Sequence, residues 1–190
     1  MSIQENIAAI RGQMDQAARE AGRDPKEILL CAATKMNDSE RVRQAISGGV
    51  DCCGENRVQE LTCKLADDAY RGAPVHFIGH LQTNKVRQVV GKVDLIQSVD
   101  SLRLLDAINK EAAKQAILQD ILLEINIGGE ASKSGFAPSD IFDVLEKISN
   151  FPNVRVKGLM AIPPICQNSG ENHKFFQEMY NLSVDITAKK

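Results

Sequence analysis

The strongest constraint on the fold of this chain is a regular alternation of short apolar segments with longer amphipathic ones. Strands that alternate with helices of about 10–15 residues form βαβ units around a parallel sheet. The strands are apolar nearly throughout, which is typical of a sheet that is covered on both faces. Six strands are predicted, at residues 28–34, 50–53, 75–80, 94–99, 120–127 and 154–162. Helices are predicted at residues 2–21, 38–49, 56–70, 83–90, 101–115, 138–150 and 172–189.

Two architectures are compatible with this alternation. A doubly wound open sheet normally carries a glycine-rich phosphate turn after its first strand, whereas the first strand here ends in Ala33-Thr34-Lys35. A (β/α)8 TIM-type barrel has no such requirement, but it needs eight strands and usually about 250 residues. The chain has 190 residues and six predicted strands, so the pattern alone leaves both architectures open.

Composition excludes several broad classes. The 43% hydrophobic content is enough for a packed core, and the 190-residue length favours one domain. A formal net charge of −2 disfavours general nucleic-acid binding. The chain lacks the apolar run of a membrane helix and the basic, apolar start of a signal peptide, which predicts a cytoplasmic protein. The five cysteines show no CxxC pair, so we expect buried thiols and no metal centre.

Polar, glycine or methionine residues stand where each predicted strand ends. Ligand sites of parallel α/β folds lie at the carboxyl ends of the strands. We therefore expect these residues to converge on one site. In chain order they are Lys35, Gly54 to Asn56, Gly79 and His80, Ser98 and Asp100, Asn126, and Gly158 to Met160.

Lys35 is the most informative of these residues. It directly follows an apolar strand, where desolvation would favour the free amine, the nucleophile that forms a Schiff base. The alternative is an ordinary strand-end lysine. For His80 a structural, hydrogen-bonded role is the simpler interpretation. Asn56 and Asn126 have an alternative as loop or helix caps, and Met160 as a core residue.

Six sequence blocks resemble one known family. They occur in order over almost the whole chain, and the second and third are long and specific. On these blocks the chain resembles the pyridoxal phosphate homeostasis proteins, which are related to the N-terminal barrel of alanine racemase. The blocks are CAATK (31–35), CGENRVQEL (53–61), HFIGHLQTNK (76–85), SVDS (98–101), EINIGGEASKSG (124–135) and GLMAIP (158–163).

This resemblance implies a single-domain (β/α)8 barrel over residues 1–190 that binds pyridoxal 5′-phosphate through a lysine aldimine. Lys35 matches the cofactor lysine of the family, and Lys133 matches a second lysine at the barrel mouth. Positions that line the pocket around the cofactor ring match Asn56, His80, Ser98 and Met160.

The function that the resemblance implies is intracellular cofactor homeostasis without a firm catalytic activity. A racemase needs a second acid or base opposite the lysine, and in alanine racemase a tyrosine from a second domain of the partner subunit supplies it. This chain has only Tyr70 and Tyr180, both in predicted helices. The alternatives are a pyridoxal-phosphate-dependent racemase-like enzyme and a cofactor-free Schiff-base aldolase. Recipient pyridoxal-dependent enzymes are the expected partners, and we expect a monomer.

Two departures from the family pattern affect the expected site. The cofactor lysine is followed by Met36-Asn37-Asp38, where the family usually has threonine, a basic or aromatic residue and proline. The family also continues beyond the last helix with segments that supply strands 7 and 8, the phosphate cup and an arginine facing the ring nitrogen. Those segments do not follow Lys189 and Lys190, so we expect a barrel that is C-terminally incomplete and lacks the phosphate cup.

Overall fold

The structure is a computed structural model, and it describes residues 2–130, 133–166 and 169–189. The described residues group into two compact units, which divide between Ile78 and Gly79. Each unit alternates strands with helices, as the sequence predicts. That residues 1–190 form one C-terminally incomplete domain stays a prediction.

The first unit contains three parallel strands in chain order. Cys31 is the register partner of Cys52, and Gly54 is the partner of His76. The first helix begins where the sequence predicts it, because Ser2 and Glu5 form a capping box that satisfies two free backbone N–H groups. The elements are α1 (Ile3–Glu20), β1 (Cys31–Ala33), α2 (Ser39–Ser47), β2 (Cys52–Glu55), α3 (Val58–Ala66) and β3 (Val75–Phe77).

The second unit also contains three parallel strands in chain order. The predicted helix over residues 83–90 is a 3-10 helix, Thr83–Gln88. None of the helices in the described part of the chain combines the length and the apolar composition needed to cross a bilayer. The elements are β4 (Leu95–Val99), α4 (Leu102–Lys114), β5 (Gln119–Glu124), α5 (Ile141–Glu146), β6 (Val154–Met160) and α6 (His173–Ala188).

In the core of the second unit, strand residues are buried alternately and helix residues are buried along one face. Along β5 buried and half-buried residues alternate, with Ile121 and Leu123 fully buried. Helix α4 buries Leu104, Leu105 and Ile108 on one face. Each such side chain contributes roughly 1.5–3 kcal/mol through burial, so this packing holds the carboxyl ends of β4 and β5 in place.

Several strands and helices are shorter in the structure than the sequence predicts. Strand β1 begins at Cys31 instead of residue 28, because the Leu30 N–H donates to the Asp51 carboxylate (2.6 Å), a side-chain partner. The predicted helix over 138–150 is α-helical only over Ile141–Glu146, with 3-10 turns on both sides. In α6 Phe176 was expected to face inward, but it is 58% exposed.

A pH-dependent contribution to stability is expected from the ion pair between β5 and β6. Arg155 donates two hydrogen bonds to the Asp120 carboxylate (2.6 and 2.9 Å), and these bonds lower the pKa of Asp120. A lowered carboxyl pKa stabilises the fold above the unfolded-state value of about 3.9. The contribution is lost as the pH falls through the folded-state pKa.

We therefore expect Asp120→Asn to lower the melting temperature slightly at pH 7, since the pair is partly exposed. The difference from the parent chain should shrink as the pH is lowered below about 4. Thermal melts of both proteins between pH 7 and pH 3 measure this difference in melting temperature. A constant difference across this range would contradict the assignment.

Candidate functional site

Lys35 lies in a tight turn between β1 and α2. The Asn37 N–H donates to the Thr34 carbonyl (3.2 Å), and the Asn37 side-chain amide donates to the Lys35 carbonyl (3.0 Å). The Lys35 side chain is exposed, so the desolvation expected from the sequence is not found. Among the residues that the structure describes, its amine has no hydrogen bond or ion pair. The turn therefore presents an amine that is open to an incoming ligand.

A network of buried polar side chains holds the start of this turn in place. Glu55, the last residue of β2, is fully buried. Its Oε1 accepts hydrogen bonds from Thr34 Oγ1 (2.5 Å), Lys64 Nζ (2.6 Å) and Tyr70 OH (3.1 Å). Lys64 Nζ also donates to the Thr34 carbonyl (2.8 Å). Because Thr34 is bound through both its side chain and its carbonyl, the residue before Lys35 is fixed in position.

The far side of the turn is held by helix α3. Met36 has a left-handed backbone (φ 61°), which is uncommon for a residue other than glycine. Its N–H donates to Glu60 Oε2 (2.7 Å). This bond, together with the charges of Lys64 and Arg57, holds the pKa of Glu60 below its ordinary value. Lys35 is thus flanked on both sides by residues that are fastened to α3 and β2.

Asn56 follows β2 directly, and Lys35 lies two residues beyond the end of β1. Its Oδ1 is buried and has no hydrogen-bond partner within the described ranges. Leaving a buried acceptor unpaired costs free energy, about 1–3 kcal/mol, so the atom is suited to a donor that a ligand brings. An exposed amine and an unpaired buried acceptor at successive strand ends fit an aldehyde cofactor that also carries polar ring substituents.

In the second unit His80 contacts two polar side chains. Its Nδ1 lies 3.1 Å from Asp100 Oδ2 and 3.4 Å from Ser134 Oγ. Ser98 is buried, and its hydroxyl donates to the Gly79 carbonyl (2.5 Å). Ser98 therefore holds the backbone beside His80, while the imidazole itself stays 61% exposed.

A carboxylate that the sequence analysis did not single out lies in the same region. Glu124 ends β5 and is the register partner of Met160 at the end of β6. Burial and the nearby charge of Asp100 raise the pKa of Glu124, and His80 partly offsets the shift. The predicted strand ran to residue 127, which placed its end at Asn126. In the structure the strand ends at Glu124, two residues before Asn126.

The loop after β5 is folded back onto that strand. The Asn126 amide donates to the carbonyls of Glu130 (2.9 Å) and Lys133 (3.3 Å), and its Oδ1 is buried without a partner in the described chain. Gly135 has φ 117°, and a Cβ there would lie 2.6 Å from the Asn126 nitrogen, so this position requires glycine. Lys133 is ion-paired with Glu130. Ala131 and Ser132 lie outside the described residues.

An open cleft of about 460 Å³ adjoins His80. Its polar lining includes Ser101 and the two residues that contact His80, Asp100 and Ser134. Pockets that take small cofactors typically measure about 300–1,000 Å³. The second unit therefore offers a cleft of suitable size at the carboxyl ends of its strands.

Comparisons with known proteins agree on one family. The family model of the alanine racemase N-terminal domain matches residues 3–187. A pyridoxal phosphate homeostasis protein of Aquifex aeolicus is 38% identical over 98% of this chain and 82% of its own length.

Solved structures give the same result for the fold. A protein of Bifidobacterium adolescentis has a TM-score of 0.91 at 33% identity, covering 98% of this chain and 79% of that one. PipY of Synechococcus elongatus, solved with PLP bound, has a TM-score of 0.83 at 27% identity and covers 99% and 83% of the two chains. The predicted α/β class, related to the alanine racemase N-terminal barrel, is confirmed.

Proposed function

Since this chain belongs to the alanine racemase N-terminal domain family, and within it to the pyridoxal phosphate homeostasis proteins, we propose that it binds pyridoxal 5′-phosphate and holds it in reserve. The observation that carries this proposal is the Lys35 turn. It presents an exposed amine without a partner among the described residues, on a backbone that a buried network fastens on both sides. PipY, which this chain resembles over 99% of its length, binds PLP.

In this proposal, different residues of the chain make different contacts with the cofactor. When bound, the cofactor supplies an aldehyde to which a lysine amine can bond covalently. Lys35 is the proposed amine, and the unpaired Oδ1 of Asn56 accepts a hydrogen bond from the ligand. By the family resemblance His80, Ser98 and Met160 are further proposed contacts. Ser98 acts by fixing the Gly79 backbone, since its hydroxyl donates to that carbonyl.

The environment of Tyr70 supports a role without turnover. A racemase needs a second proton-transfer group on the face of the cofactor opposite the lysine. Tyr70 is 4% exposed and donates its hydroxyl to Glu55, and burial together with the Glu55 charge raises its pKa. The hydroxyl proton of Tyr70 is therefore held in the hydrogen bond to Glu55. The other tyrosine, Tyr180, is 64% exposed on α6.

A transfer experiment tests this function. The chain loaded with pyridoxal phosphate is mixed with a cofactor-free aminotransferase, and the return of aminotransferase activity is followed. We expect activity to return as the loaded chain loses its cofactor absorbance. Amino-acid racemisation should not exceed that of Lys35→Ala. Racemisation above this control, or a loaded chain that never releases cofactor, would contradict the proposal.

The cellular setting is part of the same proposal. The proposed recipients are pyridoxal-dependent enzymes, and the proposed location of the chain is the cytoplasm. Delivery from one carrier to one recipient needs no second copy of the chain, so a monomer is proposed. Size-exclusion chromatography with light scattering of the loaded chain measures the oligomeric state directly.

A further inference from the structure

Three metal-ligating side chains meet on one face of the first unit's sheet. Cys31 of β1 is the register partner of Cys52 of β2, so their side chains point to the same face. Gly54, two residues after Cys52, is the register partner of His76 on β3, which puts His76 on that face as well. The two sulfur atoms and an imidazole nitrogen all lie within 4.8 Å of one another.

The distances in this cluster suit a single metal ion. Cys52 Sγ lies 3.6 Å from His76 Nδ1. Two ligands bound tetrahedrally to one zinc ion, at about 2.3 Å for sulfur and about 2.0–2.1 Å for nitrogen, lie about 3.5 Å apart. Cys52 is buried, and Cys31 and His76 are half-buried. All three stand on paired strands, which hold ligand positions more rigidly than loops do.

We propose that Cys31, Cys52 and His76 bind one soft divalent metal ion of the zinc class, with a fourth position left for water. Two thiolates and one imidazole form a ligand set that selects such ions over magnesium or calcium. Binding releases the two thiol protons to solvent, and His76 coordinates as the neutral imidazole. The cluster is separate from the cofactor lysine, since it uses side chains of the strands and Lys35 lies in the turn beyond β1.

No metal centre is expected from the sequence alone, because the cysteines lack the close spacing of known zinc motifs. The ligands are instead 21 and 24 residues apart along the chain, as 52 − 31 and 76 − 52 give. Only the register of three parallel strands brings them together. A spacing rule based on one loop cannot detect a site that is assembled across strands.

Cobalt titration tests the proposal. The full chain, purified with a non-chelating phosphine reductant and stripped of metal, is titrated with Co²⁺. We expect one equivalent to bind, with the visible bands of tetrahedral cobalt and a sulfur-to-cobalt charge-transfer band in the near ultraviolet. Zn²⁺ should displace the cobalt and abolish both bands. Cys52→Ala and His76→Gln should each weaken Co²⁺ binding about tenfold or more.

The matched control is Cys53→Ala. Cys53 is fully buried on the same strand as Cys52, but as the next residue along it points to the opposite face. Circular dichroism of each variant confirms that it is folded. Binding that survives Cys52→Ala, or that is lost equally in Cys53→Ala, would overturn the proposal. A Cys31–Cys52 disulfide that persists in the reduced preparation would overturn it as well.

Discussion

Replacing Lys35 with alanine is expected to abolish the borohydride-stable pyridoxal label of the loaded chain. Borohydride reduces the bond between a lysine amine and the cofactor to a stable amine, so the label marks the lysine that held the cofactor. Lys35 is exposed and its amine has no partner among the described residues. Intact mass before and after reduction gives the number of labels, and peptide mapping gives their position.

A matched control is Lys26→Ala. Lys26 lies in the same unit and is also exposed, but it stands in a 3-10 helix before β1 and not at a strand end. We expect the label on this variant to equal that of the parent chain. Lys64 should stay unlabelled in every variant, because its amine is buried and bonded to Glu55 and Thr34. A label that persists in Lys35→Ala would reject Lys35 as the cofactor lysine.

The second large effect is expected from Lys64→Ala. Lys64 Nζ lies 2.6 Å from Glu55 Oε1, and the two side chains are 7% and 0% exposed. Removing the ammonium leaves the Glu55 carboxylate buried without its counter-charge. Breaking a buried pair from one side costs about 3–5 kcal/mol. The free energy of unfolding, measured by urea denaturation, should fall by about this amount.

The control for this prediction is Lys114→Ala. Lys114 is 73% exposed and forms a surface pair with Glu111 (3.3 Å). Pairs of this kind contribute little, so stability should hardly change. Lys64→Ala should also weaken cofactor binding, because Lys64 fixes the Thr34 carbonyl next to Lys35. If Lys64→Ala is as stable as Lys114→Ala, the buried network is not what supports the Lys35 turn.

One ligand of the proposed metal site and the proposed cofactor lysine lie at opposite ends of the same segment of the chain. Cys31 stands at the start of β1, and Lys35 lies two residues beyond its end. Variants of the two sites therefore separate the two proposals. Lys35→Ala should leave cobalt binding unchanged, and Cys52→Ala should leave the borohydride label on Lys35.

The elements of this fold follow from local patterns in the chain. The alternation of apolar runs with amphipathic segments predicts a parallel α/β fold because each strand must be covered on both faces. Capping residues such as Ser2 and Asp38 set the starts of α1 and α2, since they bond the first free N–H groups of their own helix. Strand ends were less well predicted, as Glu124 shows, because apolar residues continue beyond the last paired position.

The long-range partners of the buried polar residues depend on tertiary structure. Nothing near Glu55 in the chain shows that its carboxylate binds Thr34, 21 residues earlier, and Tyr70, 15 residues later. The same holds for Cys31, Cys52 and His76, which the register of three strands brings together. Local patterns determine which segments become strands and where a lysine follows one. The relative placement of those strands determines which charged side chains are buried together. Those buried contacts in turn determine how rigidly the backbone next to Lys35 is held.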